Sequence, residues 1–500
     1  MTKKNVFLIY IILMLFFGAY IYLEIIYNNV ILIDDLSLFR TVYDLQDRPE
    51  SFFPFIIKFI SSDVMNARPV SGFVSGCIIY ISQYYSRFYF ISYFFFFLAT
   101  YSVFKLLKEY YKNFSLAIIG ATLFGLIPIA SVIQFSPIML NANLSVFFYC
   151  YSLIFLMKHT TKSYLISSLL FTLSFLSYEI FLPFIIINVI LINKEKISFK
   201  NIMISISPVL VFIFYKNIIA PLIFVNANHR ETPGNIFEIK RNLEIIQFAA
   251  KAYFIDLPVS IKKGLLGIQY FSVLDFIILT IFILANIIFF RNISFEVRNF
   301  NKIKSFFLII ILFLIANSIY VFSEYTPRFF DFDNRTMAGV RLVSVILFIN
   351  AVLLSKFPKI ITLISLIFLG IFSLSSKNAW NYANEFNNKM FSQLKNKLPK
   401  KHYKNVFIFY DYYTEKKFNP HFVMREPIYS NHYETYSLCK RNNIIPFYGK
   451  PFYSKDKIKE VSKAKKDPDF TRFPYLIFDK SKNKIFLINN LNDYVSFFNS

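Results

Sequence analysis

A chain that repeats long apolar runs with only short polar breaks between them can fold in few ways. From residue 6 to residue 376 this chain does little else. The first run, Val6 to Ile26, is long enough to cross a bilayer, which takes about 20 residues of helix. Lys3 and Lys4 precede it, and it continues into Tyr-Leu-Glu-Ile-Ile-Tyr with no small-residue cleavage site, so it reads as a retained signal anchor. Further runs lie near 70–104, 114–133, 138–157, 163–178, 181–192, 202–225, 270–290, 305–323, 339–355 and 358–376, about eleven in all. The stretch 70–104 is too long for one pass and is broken at Ser82-Gln83-Tyr84-Tyr85-Ser86-Arg87, which makes 70–84 an interfacial or re-entrant piece. The two runs meeting at Ser177-Tyr178-Glu179 are short, and a single broken hairpin is an alternative there.

Composition agrees: 56% hydrophobic residues and a mean hydropathy of +0.49 exclude a soluble globular protein of 500 residues. A net charge of +24 comes with no motif for DNA or RNA, so nucleic acid is not an expected partner. Much of that charge is topological. Lys105, Lys108 and Lys112, then Lys158 and Lys162, then Lys194, Lys196 and Lys200, then Arg291, Arg298, Lys302 and Lys304, and finally Lys356 and Lys359 fall in alternate connections. By the positive-inside rule these connections and the N-terminus are cytoplasmic. Segments 28–68, 226–268 and 324–338, with the tail from 377 onward, are then expected outside. Cys77, Cys150 and Cys439 form no pattern of pairs and read as packing residues.

The expected fold is therefore an α-helical polytopic membrane protein of about 9–11 transmembrane helices (1–376) with a small α/β C-terminal extracytoplasmic domain (377–500). Strand-like runs at Val406 to Tyr410, Tyr475 to Phe478 and Lys484 to Ile488 carry the latter expectation. No repeat, Walker loop, dinucleotide fingerprint or His-Glu-x-x-His motif is present, which removes the main support for ATP-driven transport and zinc proteolysis.

Candidate chemistry gathers on the expected outer side. Asp34 and Asp35 stand where the first helix leaves the membrane, a place for a general base on a hydroxyl or for holding a divalent cation against a phosphate; helix capping is the plain alternative. Arg68, in Asn66-Ala67-Arg68-Pro69, is placed to fork onto a lipid phosphate or to anchor in the headgroups. Glu179 is an acid in an apolar stretch, expected to pair or to stay wet. Arg328, Asp331, Asp333 and Arg335 crowd one loop, as a sugar or phosphate clamp or as solvated charge.

Taken in order, the acidic pair after the first helix, the Arg-Pro closing that loop and the later Ser-Tyr-Glu resemble the GT-C superfamily of polyprenyl-phosphate-dependent glycosyltransferases. Within it, residues 1–376 look most like the bacterial serotype-converting O-antigen glucosyltransferases. One departure is Ala67, where those relatives carry glycine. The resemblance implies an inverting transfer of a hexose, most simply glucose, from a polyprenyl-phosphate carrier to O-antigen on the periplasmic face of the bacterial inner membrane, alongside a donor-lipid synthase and a flippase. It implies Asp34 or Asp35 as base, and it matches Arg68 to the family's Arg-Pro and Tyr178-Glu179 to its Tyr-Glu. With the loop charges added, the expected catalytic residues are Asp34, Asp35 and Glu179, and the expected substrate-binding residues are Arg40, Arg68, Tyr178, Arg328 and Arg335. No cofactor is certain; a divalent cation is the one candidate. A lipid-linked sugar flippase and an O-antigen polymerase or ligase stay open beside this reading.

The charge asymmetry makes a direct prediction. A phosphatase reporter that works only outside the cytoplasm should be active when fused within 28–68 and inactive when fused after Lys112 or Lys162; the reverse pattern would overturn the threading.

Overall fold

The computed structural model describes residues 3–499, apart from 33, 63, 194–197, 225–237, 296–300, 324, 331, 400–405, 410–431, 445–450, 453–472 and 480–481. The chain is a helical multi-pass membrane protein. Among the described residues eight helices are long and apolar enough to cross a bilayer: Asn5–Tyr27, Ser86–Tyr111, Pro137–Leu156, Phe199–Ile223, Val273–Asn292, Lys302–Tyr320, Asn334–Leu354 and Pro358–Lys397. The shorter helices Phe114–Leu126, Thr161–Ser177 and Glu179–Asn193 take up the remaining apolar runs. The last helix runs unbroken through residue 376, so the expected domain boundary falls inside it.

Helix Phe114–Leu126 stops early for a local reason. Ile127 is extended (ψ 135°) before Pro128, and a residue preceding proline is driven out of helical geometry. Its last carbonyls would then lie orphaned in an apolar interior. Arg341, fully buried on helix Ala338–Leu354, supplies the missing donors. Its Nε donates to Phe124 O at 2.8 Å, and Nη1 donates to Ile129 O at 3.0 Å and Ala130 O at 3.2 Å. Nη2 reaches Phe124 O as well, and the Phe96 and Phe124 rings flank the guanidinium at 5.6 and 5.2 Å. A cation at a helix C-terminus also meets the negative end of the helix dipole. The irregular segment 127–139 is thereby fixed at the polar end of the bundle.

The expected outer loop 28–68 is mostly helical. Helix α1 (Lys3–Tyr27) leads into α2 (Asp34–Asp47), then α3 (Phe52–Ile60) and α4 (Pro69–Ser82). In α2 the buried Leu36, Phe39, Val42 and Leu45 recur every third residue and seat the helix on the bundle. Pro69 opens α4, where its missing N–H costs nothing. Gly72 and Gly76 let α3 lie close on α4, since a Cβ at Gly76 would come within 2.9 Å of Ile56. Both ends of α4 bond to polar-end neighbours: Arg68 to Glu179, and Gln83 O to the Gln46 amide at 2.8 Å. With 14 residues it is shorter than the helices long enough to cross a bilayer.

In the tail, the strands β1 (Val406–Phe409), β2 (Pro451–Phe452), β3 (Tyr475–Asp479) and β4 (Lys484–Ile488) form a sheet of order β2-β1-β3-β4. β1 is parallel to β2 and β3, and β4 is antiparallel to β3. Tyr494 and Phe497 of helix Leu491–Asn499 cover one face. A separate helix, His432–Arg441, packs on α2.

Replacing Arg341 by Met should cost about 3 kcal/mol or more of stability, because several buried carbonyls lose charged donors together. Lysine should not rescue it, since one ammonium cannot span acceptors from Phe124 to Ala130. Thermal melting in detergent measures this; an unchanged melting temperature in both variants would contradict the capping role.

Candidate functional site

The first turn of α2 carries two carboxylates with opposite surroundings. Asp35 is fully buried, and its Oδ1 accepts from Tyr89 Oη at 2.8 Å, Ser136 Oγ at 2.9 Å and the Ile138 N–H at 2.9 Å. Its Oδ2 is buried with no hydrogen-bond partner. Burial pushes this carboxyl up to about 7, against the opposing pull of the Ile138, Tyr89 and Ser136 donors. Asp34, one residue earlier, keeps 29% of its side chain exposed and accepts from Arg335 Nη1 at 2.6 Å. Asp35 is thus a clamp between α2 and segment 136–138, and Asp34 is the acid that faces outward.

Arg68 and Glu179 meet as a bidentate pair. Nε donates to Oε2 at 2.9 Å and Nη2 donates to Oε1, with side-chain exposures of 17% and 21%. The guanidinium lies over the Tyr178 ring at 4.4 Å, and Tyr178 is itself buried. Tyr178 stands within electrostatic reach of Arg68, Glu179 and Arg335, so it joins the two ion pairs into one cluster. Local sequence explains the positions. Arg68 is the residue before the α4 proline, and Tyr178 is the extended residue (φ −165°, ψ 128°) that ends helix Thr161–Ser177 and turns Glu179 out of it.

The structure therefore brings together Asp34, Arg68, Tyr178, Glu179 and Arg335, contributed by segments far apart in sequence. One other expected member faces a different partner. Arg40 pairs with Asp44 at 3.8 Å and covers the Tyr436 ring at 5.6 Å, facing the tail helix. Arg328 lies on the exposed side of its loop. Asp331, Glu324, the Asp333 side chain, His421 and the first part of 226–268 lie outside the described residues. Among the described residues no group of three or more histidines, cysteines or acids converges as a metal site.

Sequence reasoning missed three groups. Asn334 is buried: its amide donates to Ser131 Oγ at 3.1 Å and Phe329 O at 3.2 Å, and its Oδ1 accepts from the Val132 N–H at 3.3 Å. It carries the order of segment 127–139 over to Arg335. Lys377 is fully buried and pairs with Asp275 at 2.6 Å and with Glu24, with Tyr20 Oη at 3.1 Å. The Asn378, Asn381 and Asn384 spacing was a signal, since Asn381 donates to Glu24 at 2.8 Å and Asn384 to Asn28 O at 3.1 Å. Arg341, the third, sits in an apolar run with nothing to mark it.

No protein-family profile matches this chain, and no curated protein or solved structure matches it either.

The buried Asp35 sets a pH dependence. Unfolded, its carboxyl has the ordinary value of 3.8; folded, it holds its proton to about 7. The native state then binds more protons between these values, so this residue's contribution to stability is full below about pH 4 and is lost as pH rises through about 7. Asp35→Asn keeps the Oδ1 acceptor without the charge. Its melting temperature should lie closest to wild type near pH 4 and exceed it increasingly up to pH 8; parallel pH curves for the two proteins would contradict a neutral Asp35.

Proposed function

We propose that this chain is a membrane glycosyltransferase of the GT-C kind, moving a hexose, most simply glucose, from a polyprenyl-phosphate carrier to an O-antigen glycan on the periplasmic face with inversion. The observation that carries the reading is the convergence of Asp34, Arg68, Tyr178, Glu179 and Arg335 at the polar end of an apolar bundle. These are the residues the GT-C resemblance puts at the acidic pair, the Arg-Pro and the Tyr-Glu, with one arginine added from beyond residue 320.

Such a cluster suits an amphiphilic donor. The prenyl chain stays in lipid while two guanidinium groups, partly exposed, stand ready for its phosphate, which a planar fork binds in two bonds. Asp34 is the general base in this reading: it takes the proton of the acceptor hydroxyl as that oxygen attacks the anomeric carbon. The bond from that carbon to the phosphate oxygen breaks, and Arg68 with Arg335 stabilises the charge left on the lipid phosphate. Glu179 and Tyr178 fix the guanidinium of Arg68 in the plane that the phosphate meets. The reading places the N-terminus in the cytoplasm and the tail in the periplasm.

A lipid-linked sugar transporter is the second reading. The observation on its side is the buried Lys377, Asp275 and Glu24 cluster, since charges inside a bundle often line a path.

The test is transfer from purified polyprenyl-phosphate glucose to a lipid-linked O-antigen acceptor. Asp34→Asn should lose about 100-fold or more, the size of a missing general base, and Arg68→Lys should fall strongly through the lost fork. Asp35→Asn should keep most of its turnover at neutral pH. Full turnover in Asp34→Asn would sink the assignment.

A further inference from the structure

The helix that carries Asp34 is held from two sides. On the bundle side α2 is gripped through Asp35 and through Gln46, whose amide donates to Gln83 O at 2.8 Å. On the other side lies the tail helix His432–Arg441, about four hundred residues later in sequence. The buried Ser437 donates its hydroxyl to Leu36 O at 2.6 Å, two residues from Asp34. Lys440 pairs with Asp47 at 2.6 Å, and Tyr436 Oη reaches Asp44 at 3.4 Å. Leu438 and Cys439 are buried beside them.

The chemistry of α2 explains why it needs such a partner. Its first turn carries Asp34 and Asp35, which suit the positive end of a helix dipole. Its last turn also ends in acids, Asp44 and Asp47, with no basic residue, which is the unfavourable arrangement. Lys440 supplies from the tail the cation that α2 lacks. Arg441 extends the clamp: Nη2 donates to Asn29 O at 2.7 Å, at the end of α1, and Nη1 donates to Asn384 Oδ1 at 3.0 Å on the last long helix. The tail helix therefore ties α1, α2 and the outward extension of helix Pro358–Lys397 into one unit.

We infer that the tail helix is a positioning element for the Asp34 site, with Ser437, Lys440 and Arg441 fixing where the first turn of α2 stands relative to Arg335. The effect on sugar transfer rests on the glycosyltransferase reading above; the positioning itself does not. These residues act through α2 and touch no reacting atom.

Two variants separate positioning from folding. Ser437→Phe wedges the tail helix off the Leu36 carbonyl, and Lys440→Glu sets a third acid against Asp44 and Asp47. The swap Lys440→Glu with Asp47→Lys restores an opposite-charge pair. Each is read in the full-length protein by melting temperature, by donor KM and kcat, and by the rate at which a maleimide labels Cys in an Asp34→Cys background, located by peptide mass mapping. The expected result is a kcat lower by roughly ten- to a hundredfold, the scale of a misplaced catalytic group, with donor KM and melting temperature near wild type. Labelling at position 34 should change in Ser437→Phe and Lys440→Glu, and the swap should return kcat and labelling toward wild type. Unchanged labelling and kcat in both single variants would overturn the inference, as would a swap that restores neither. If labelling responds but the wild-type protein transfers no hexose, the positioning stands and the glycosyltransferase reading falls.

Discussion

The polar end of this molecule depends on one guanidinium that, among the described residues, is held by backbone carbonyls and by no carboxylate. Arg341 takes the carbonyls left where helix Phe114–Leu126 breaks off inside the bundle. A broken helix in an apolar medium is tolerable only where its backbone groups are satisfied. With that end capped, segment 127–139 can present a hydroxyl and an N–H to Asp35, and segment 131–132 can bind Asn334. Asp34 is then set by its neighbour, and Arg335 by the residue before it. The ion pair between them joins parts of the chain 301 positions apart, and it follows from how the break was sealed.

The acidic pair divides its labour by burial. Adjacent helical residues point about 100° apart, so one side chain can enter the core while the next stays at the rim. Asp35 spends its carboxyl on three donors from other elements, and Asp34 keeps exposed surface and an arginine partner, Arg335. The two arginines of the cluster are likewise paired with acids, Arg68 with Glu179 and Arg335 with Asp34. A cluster built from paired charges avoids leaving any of them bare where the surroundings solvate charge poorly.

Much of the architecture was readable because apolar length acts locally. Each long run became a helix, the break near Gln83 separated α4 from the crossing that follows, and the three tail strands fell on the expected runs. Arg68, Tyr178 and Glu179 were legible as a group, since an acid in an apolar turn calls for a cation. What could not be read was pairing at long range. Nothing near Arg341 marks it as a cap for a helix more than two hundred residues away, and nothing near Lys440 points to Asp47. Arg40 misled because its closeness to the acidic pair in sequence suggested a shared site, whereas its place on α2 turns it toward Tyr436. The helices within the loop 28–68 went unread because its polar content hid the three-residue spacing of Leu36, Phe39, Val42 and Leu45.

The account stands or falls on whether the chain adds a sugar to an exported glycan. Expression in a bacterial host of defined O-antigen, with polyprenyl-phosphate glucose available, followed by structural determination of the lipopolysaccharide, tests it most directly. The account predicts one new hexose branch per repeat unit, absent from the host alone. An unchanged glycan with the protein present in the membrane would contradict it.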